Sequence, residues 1–315
     1  MQEELNNKTY CPRPSICFVV DKPKLIEIFA ADFRDRVVHH ILVRYLSRIF
    51  EPKFIYDSYS CRENKGTHKA IKRLQYFTRS ITQNNSKKAY FLQLDIRSYF
   101  VRLNKDILMS LIRKRIQDKE MLWLANTIIY NDCTNNCLIT RGKNLFQYLP
   151  KHKTLFKQSK NRGIPVGNLS SQFFANLYLN ELDQFIKHIL KCKYYLRYTD
   201  DLVMLSRDKN QLRNWIDRIQ TFLEKHLDLT LNTKKTIILS ISNGINYLGY
   251  IVRPFYILVR KRVVNNLKNK LYNGKLNRAS YMSYMGHFKH ANSFKLQKHI
   301  NNMIIEHFEE SVTGG

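Results

Sequence analysis

The stretch Tyr198-Thr199-Asp200-Asp201 constrains the fold more than any other part of this chain. Two adjacent carboxylates sit at a polar break between two largely apolar runs, residues 194–198 and 202–205. This pattern reads as strand, turn, strand, with the acids at the tip. Such a tip offers carboxylate oxygens to a metal ion without burying unpaired charge. Alone, it is also what an ordinary solvated turn looks like, because Asp satisfies turn backbone locally.

Composition narrows the partners. There are 53 Lys+Arg against 25 Asp+Glu, a net charge of +28 over 315 residues. That surplus repels itself in the compact state and attracts polyanions, nucleic acid first and an anionic membrane surface second. No apolar run reaches about 18 residues, so no membrane-spanning helix is expected. Met1-Gln2-Glu3-Glu4-Leu5 lacks the basic-then-apolar pattern of a secretory signal. Of the six cysteines only Cys133 and Cys137 are close in sequence. No second Cys/His pair stands at zinc-site spacing, so reduced thiols in a reducing cytosol are expected.

Residues 25–50 predict one helix. Leu25, Ile28, Phe29, Phe33, Val37, His40, Ile41 and Tyr45 recur at helical spacing, Arg34, Arg36, Arg44 and Arg48 lie opposite, and Pro52 ends it. Adjacent His39 and His40 point about 100° apart on a helix, which suits core or RNA-facing roles better than chelation. Residues 54–67 read as irregular and 67–81 as a basic helix. Residues 90–96 read as a buried strand containing Asp95, and 105–130 as a long helical stretch. Residues 131–162 form a polar loop with seven basic residues and one acid. A loop of this length and charge is either a binding surface or a flexible solvated insertion.

Gly163-Ile164-Pro165-Val166-Gly167 is a turn leading into a helix over 170–190. The acidic hairpin follows, then a helix over 211–226, a strand near 236–241, and a hairpin over 245–259 turning near Arg253-Pro254. The rest reads as helical and basic. Between Arg253 and Ile300 there are eleven Lys/Arg and no Asp or Glu, the signature of a phosphate-contacting surface. Tyr272, Tyr281, Tyr284 and Phe288 lie among these charges, where they either touch bases and sugars or pack a small helical subdomain.

Strand pairing would bring Asp95 beside Asp200. Three carboxylates at strand ends make a two-metal site, whose ions, roughly 3.5–4 Å apart, activate a 3′-hydroxyl and stabilise a leaving pyrophosphate. Mg²⁺ suits such a site because it takes few carboxylates and shares phosphate oxygens. Arg62, Lys65 and Lys235 are candidate cations around a triphosphate.

The order of Asp95 strand, Gly163–Gly167 turn and helix, Tyr198-Thr199-Asp200-Asp201, Lys235-Thr236 and Tyr247-Leu248-Gly249-Tyr250 resembles the successive palm motifs of reverse transcriptases. The resemblance runs from about residue 25 to 295. It implies an α+β right-hand polymerase with an antiparallel palm sheet carrying the acids. Fingers would span 1–90 and palm 91–255, with an insertion over about 104–162. A short helical thumb would span 256–315. It further implies Asp95, Asp200 and Asp201, with the Ile96 carbonyl, as ligands of two Mg²⁺ ions, with Mn²⁺ as substitute. Lys235 resembles the lysine that protonates pyrophosphate. Phe100 falls at the aromatic gate against a 2′-hydroxyl, and Arg62 and Lys65 in the triphosphate-contacting fingers segment. Val166 and Gln172 fall in the turn beside the incoming dNTP, and Tyr247–Tyr250 at the primer grip. Arg34, Arg36, Lys69, Arg260, Lys261, Arg262 and Lys268 would contact RNA and DNA.

A narrower resemblance is to the reverse transcriptases of diversity-generating retroelements. Val166 stands where most reverse transcriptases carry Gln, and Ser171-Gln172 replaces Ser-Pro. Residues 28–40, 57–62 and 286–292 are similar to that group as well. This implies error-prone copying of a template-repeat RNA into cDNA that is mutated at adenines, in the cytoplasm of a prokaryotic host, with a small, basic, ring-forming accessory protein. Gln can hydrogen-bond and brace a nascent base pair; Val cannot. The rival readings are a retron or phage-defence reverse transcriptase, which would share the three acids, and an inactive RNA-binding protein with a polymerase fold. The intact acid set and both fingers cations argue against the latter.

Overall fold

The computed structural model describes residues 1–21 and 24–313, with side chains through residue 305. It begins with α1 (Gln2–Asn6), β1 (Ile16–Val20), β2 (Ile26–Ala30), α2 (Phe33–Phe50), α3 (Thr67–Ile81) and β3 (Tyr90–Asp95). Then come α4 (Tyr99–Arg102), α5 (Lys105–Arg113), α6 (Lys119–Tyr130), β4 (Leu138–Arg141), α7 (Leu169–Gln184), β5 (Tyr195–Tyr198) and β6 (Asp201–Ser206). The remainder is α8 (Lys209–Phe222), β7 (Ile237–Ser240), β8 (Ile245–Tyr247), β9 (Tyr250–Val252), β10 (Ile257–Val259), α9 (Lys261–Tyr272), α10 (Arg278–Phe288) and α11 (Phe294–Thr313). Among the described residues there are three sheets: β2-β1-β4, β5-β6-β3-β7 and β10-β9-β8. The fold is α+β.

Two compact units are distinguished. One comprises residues 1–62, 93–202 and 213–236, the other 63–92, 203–212 and 237–315. The division runs through β3 and β6.

In the first unit, α7 is buried along almost its whole surface and packs against α2 and α5. Its exposed residues are Gln172 and Glu181, and a helix mostly apolar over the rest of its surface belongs in a core. The long helix expected over 25–50 is instead a strand and a shorter helix. Residues 26–30 alternate in burial and pair antiparallel with β1, Ile16 opposite Ala30. The Asp32 carboxylate then accepts from the Arg34 amide at 3.0 Å and caps α2. His39 is buried, and burial lowers its pKa to about 4, whereas His40 is exposed.

The stretch 105–130 is likewise two helices, because the Asp118 carboxylate caps a new start by accepting from the amides of Glu120 and Met121. The loop 131–162 contains β4, which pairs parallel with β1, and three short 3₁₀ turns. All six cysteines are free thiols.

In the second unit, α3 spans 67–81 as expected. Residues 245–259 form two hairpins rather than one. Leu248 (φ 48°) and Gly249 (φ 89°) make the tight turn, Tyr247 pairing with Tyr250. Consecutive left-handed residues match the twist of a two-residue hairpin, which favours glycine there. Leu267, Phe288 and Ile300 form a helical core, with Tyr284 against it. Phe288 and Tyr284 are thus packing residues, while Tyr272 stays exposed.

Candidate active site

Thr199 and Asp200 form the turn between β5 and β6. Thr199 is left-handed (φ 56°), an uncommon state for a β-branched residue that needs external support. The support is a polar network. The Thr199 hydroxyl donates to Ser60 Oγ at 2.7 Å, and Arg197 Nη1 donates to the Thr199 carbonyl at 2.9 Å. Arg197 is fully buried and forks onto the equally buried Asp183, with Nη2 to Oδ2 at 2.7 Å and Nε to Oδ1 at 2.9 Å. Tyr195 donates to Asp183 at 2.6 Å, and Arg197 Nη1 also reaches Asn176 Oδ1 at 3.2 Å. Asn176 in turn donates to the Ser60 carbonyl at 2.8 Å. Burial acts to lower the Arg197 pKa, but the Asp183 carboxylate outweighs it and the net shift is upward.

Asp95 ends β3 and is nearly buried. Its Oδ1 accepts from Lys235 Nζ at 2.6 Å and its Oδ2 from Asn232 Nδ2 at 2.9 Å. Ile96 lies opposite Leu231. The bonds there run from the Arg97 amide to the Thr230 carbonyl and from the Asn232 amide to the Asp95 carbonyl. The Ile96 carbonyl takes no part in that pairing.

The three carboxylates sense one another. Burial, then Asp201, then Asp95 push the Asp200 pKa up to about 6, opposed by Lys24. Asp201 is raised by burial and by Asp95, and lowered by Lys235 and Lys24. Burial acts to lower the Lys235 pKa, but its hydrogen bond to Asp95 and the charges of the three acids raise it, so it remains an ammonium.

Asp95 and Asp200 open into a cleft of about 970 Å³, also lined by Lys24, Ile96, Phe100, Val166 and Lys235. Val166 is set there by backbone. Its carbonyl accepts from the Phe29 amide at 2.8 Å, and Asn168 Oδ1 accepts from the Ala31 amide at 3.1 Å. Gly167 (φ 127°) permits this latch to β2, since a Cβ there would meet the Phe29 carbonyl oxygen at 2.7 Å.

Other expected residues lie elsewhere. Arg62 is committed to Glu51 (2.8 Å) and to the carbonyls of Ile55 and Ser58, with its side chain 8% exposed. Gln172 is exposed on the first turn of α7, outside the cleft lining. Arg34 pairs with Glu4 and stacks over Tyr10, and Arg36 donates to the Ala31 carbonyl.

Lys65, Lys69, Arg260, Lys261, Arg262 and Lys268 belong to the second unit. There Lys69 donates to the Asn64 carbonyl and Lys268 lies 3.5 Å from His299. In the expected primer grip, Tyr247 and Tyr250 are buried, Tyr250 stacks on His287, and only Leu248 and Gly249 are partly exposed.

Lys24, Asn232 and the Arg197–Asp183 pair escaped the sequence reading. Arg197 carried a signal, since an arginine inside an otherwise apolar strand needs a buried acid.

The donor set fits a hard divalent cation: carboxylate oxygens in a site where burial first, and then the neighbouring acids, lift Asp200 to about 6. Among the described residues no three His, Cys, Asp or Glu side chains form a preassembled cage.

The reverse transcriptase (RNA-dependent DNA polymerase) family matches residues 22–252. Protein YkfC of Escherichia coli K12 is 24% identical over 299 residues, covering 83% of this chain and 71% of its own length. The group II intron-encoded protein LtrA of Lactococcus lactis is 22% identical over 317 residues, covering 80% of this chain. The chain spans about half of LtrA's length (49%). Apo telomerase from Candida tropicalis, truncated from its C-terminal domain, shares the fold. The TM-score is 0.55 at 13% identity, covering 82% of this chain and 59% of that one. No helix among the described residues is long and apolar enough to cross a membrane. With more than half of its residues matched, the chain belongs to the reverse transcriptase family of RNA-dependent DNA polymerases, a class of nucleotidyltransferases.

Proposed function

We propose that this chain synthesises DNA on an RNA template and belongs to the error-prone group that diversifies a target gene from a template-repeat RNA. The observation that carries the polymerase reading is the convergence of Asp95, Asp200 and Lys235 on one cleft whose wall includes Phe100 and Val166. Asp95, Asp200 and Asp201, with the Ile96 carbonyl, would hold two Mg²⁺ ions, which supply a polarised 3′-hydroxyl and neutralise phosphate charge. Lys235, kept protonated by Asp95, holds the proton at Nζ that a leaving pyrophosphate oxygen takes up. Phe100 stands as the barrier to a 2′-hydroxyl. Fingers, palm and thumb are assigned to 1–90, 91–255 and 256–315. The partners proposed are template RNA, cDNA, dNTPs and a small basic ring-forming accessory protein, in a prokaryotic cytoplasm. The test is primer extension on an RNA template with dNTPs and Mg²⁺; no extension with or without an added accessory protein would sink the reading.

The narrower assignment rests on Val166, whose side chain cannot hydrogen-bond a nascent pair from the cleft wall. Val166→Gln is expected to lower misincorporation opposite template adenine by about tenfold, the worth of roughly one hydrogen bond. Sequencing cDNA from both enzymes measures it, and an unchanged adenine error rate removes the support.

A further inference from the structure

The loop after β4 carries a run of basic residues that the chemistry above does not use. It is built onto β2 by a buried acid. Glu27 is 5% exposed, and both its oxygens are taken from the loop. Oε2 accepts from the Thr154 hydroxyl at 2.6 Å and Oε1 from the Leu155 amide at 3.0 Å. Thr154 is itself buried and also accepts from the Phe156 amide at 3.3 Å. The Phe156 ring packs 5.8 Å from Phe29 and 5.9 Å from Phe146. A buried carboxylate with two donors is costly to disturb, because losing either leaves charge uncompensated. The segment is therefore a wall and not a flexible insertion.

That wall faces the site. His152, Lys153 and Leu155 line the same cleft as Asp95, Asp200 and Lys235. Lys153 and His152 are exposed, and neither side chain has a hydrogen-bond or ion-pair partner among the described residues. A fixed backbone presenting an unpaired ammonium to a cleft that also holds acids and Lys235 suits an elongated polyanion.

We propose that Lys153, assisted by His152, contacts the phosphate chain of the incoming nucleoside triphosphate, and that Glu27 and Thr154 are the positioning residues that hold it there. The proposal rests on the polymerase reading and adds to it a substrate contact from the insertion.

Single-nucleotide incorporation kinetics on a preformed RNA–DNA duplex test it. Lys153→Gln should raise the dNTP KM about tenfold with kcat within about twofold, as expected for loss of ground-state binding. Lys153→Arg should restore it. Thr154→Val should raise KM about threefold and Thr154→Ser should reverse this, which separates positioning from general loss of fold. Duplex affinity, measured by anisotropy, should stay unchanged. An unchanged KM in Lys153→Gln overturns the proposal. So does a weakened duplex affinity with KM unaltered, which would assign the loop to nucleic-acid backbone. A wild-type enzyme that incorporates no dNTP, by contrast, overturns the polymerase reading itself.

Discussion

Arg197→Met is expected to destabilise the protein by about 3–5 kcal/mol, the usual consequence of removing one partner of a buried ion pair. In a domain of this size that lowers the melting temperature by about 10 °C. The reason lies in Asp183, which is fully buried and keeps only the Tyr195 hydroxyl among its named donors once the guanidinium is gone. The acidic turn also loses its brace, because the same guanidinium donates to the Thr199 carbonyl and to Asn176. Without it, left-handed Thr199 has the Ser60 hydroxyl as its remaining named tie. The double variant Arg197→Met, Asp183→Leu separates the two effects. Replacing a buried pair by apolar side chains is often neutral, so most stability should return, less about 1 kcal/mol for the lost Tyr195–Asp183 hydrogen bond. Activity should not return, staying down about 10²-fold, since a misplaced Asp200 costs that much in reacting geometry. Thermal melts beside single-turnover assays read both. Recovery of both in the double variant would reduce the network to packing.

The features legible in the sequence are those written in neighbouring residues. The acidic turn, α3 and the buried β3 follow from local periodicity and punctuation, and the structure has them at almost the expected limits. Residues 25–32 misled because Leu25, Ile28 and Phe29 fit a helical stripe by spacing. Pairing with β1 decides the matter, and pairing is not local. Asp118 and Asp32 cap α6 and α2, yet they lie inside long apolar-periodic stretches whose pattern hides the break. In the site, Asp95, Asp200 and Lys235 stand in the sequence as an ordered set, and in the structure they line one cleft, with Lys235 hydrogen-bonded to Asp95. Glu27 and Thr154 are 127 residues apart, and Arg197 and Asp183 sit on different elements, so even where Arg197 calls for a buried acid the sequence does not say which one. Arg62 shows the converse. A cation in a suggestive motif is spent on Glu51 and two carbonyls, and its chemistry could not be read without its neighbours.

Asp200→Asn should move stability and activity in opposite directions. The folded-state pKa of Asp200 is raised to about 6, above its ordinary value of 3.8. The contribution of a raised carboxyl is therefore fully present below about pH 4 and lost as pH rises through about 6. Near pH 7.5 the ionised, half-buried group works against folding. Two units correspond to roughly 3 kcal/mol unscreened, and solvent access reduces this to about 1–2 kcal/mol. The neutral amide removes that burden, so the metal-free variant should melt about 2–5 °C above wild type at pH 7.5. The gap should close as pH falls toward 4, where the wild-type carboxyl is itself protonated. Excess Mg²⁺ should then stabilise wild type more than the variant, since a ligand stabilises the state it binds in proportion to its affinity. RNA-templated incorporation should fall by about 10³-fold or more, as a preorganised charge at the reacting centre is lost. Scanning calorimetry across pH, with and without Mg²⁺, reads the first three outcomes and primer extension the fourth. If the variant melted below wild type at pH 7.5 without metal, the account of Asp200 as a charge disfavoured by burial and by its acidic neighbours would fail. If it kept full incorporation, Asp200 would lose its place in the chemistry.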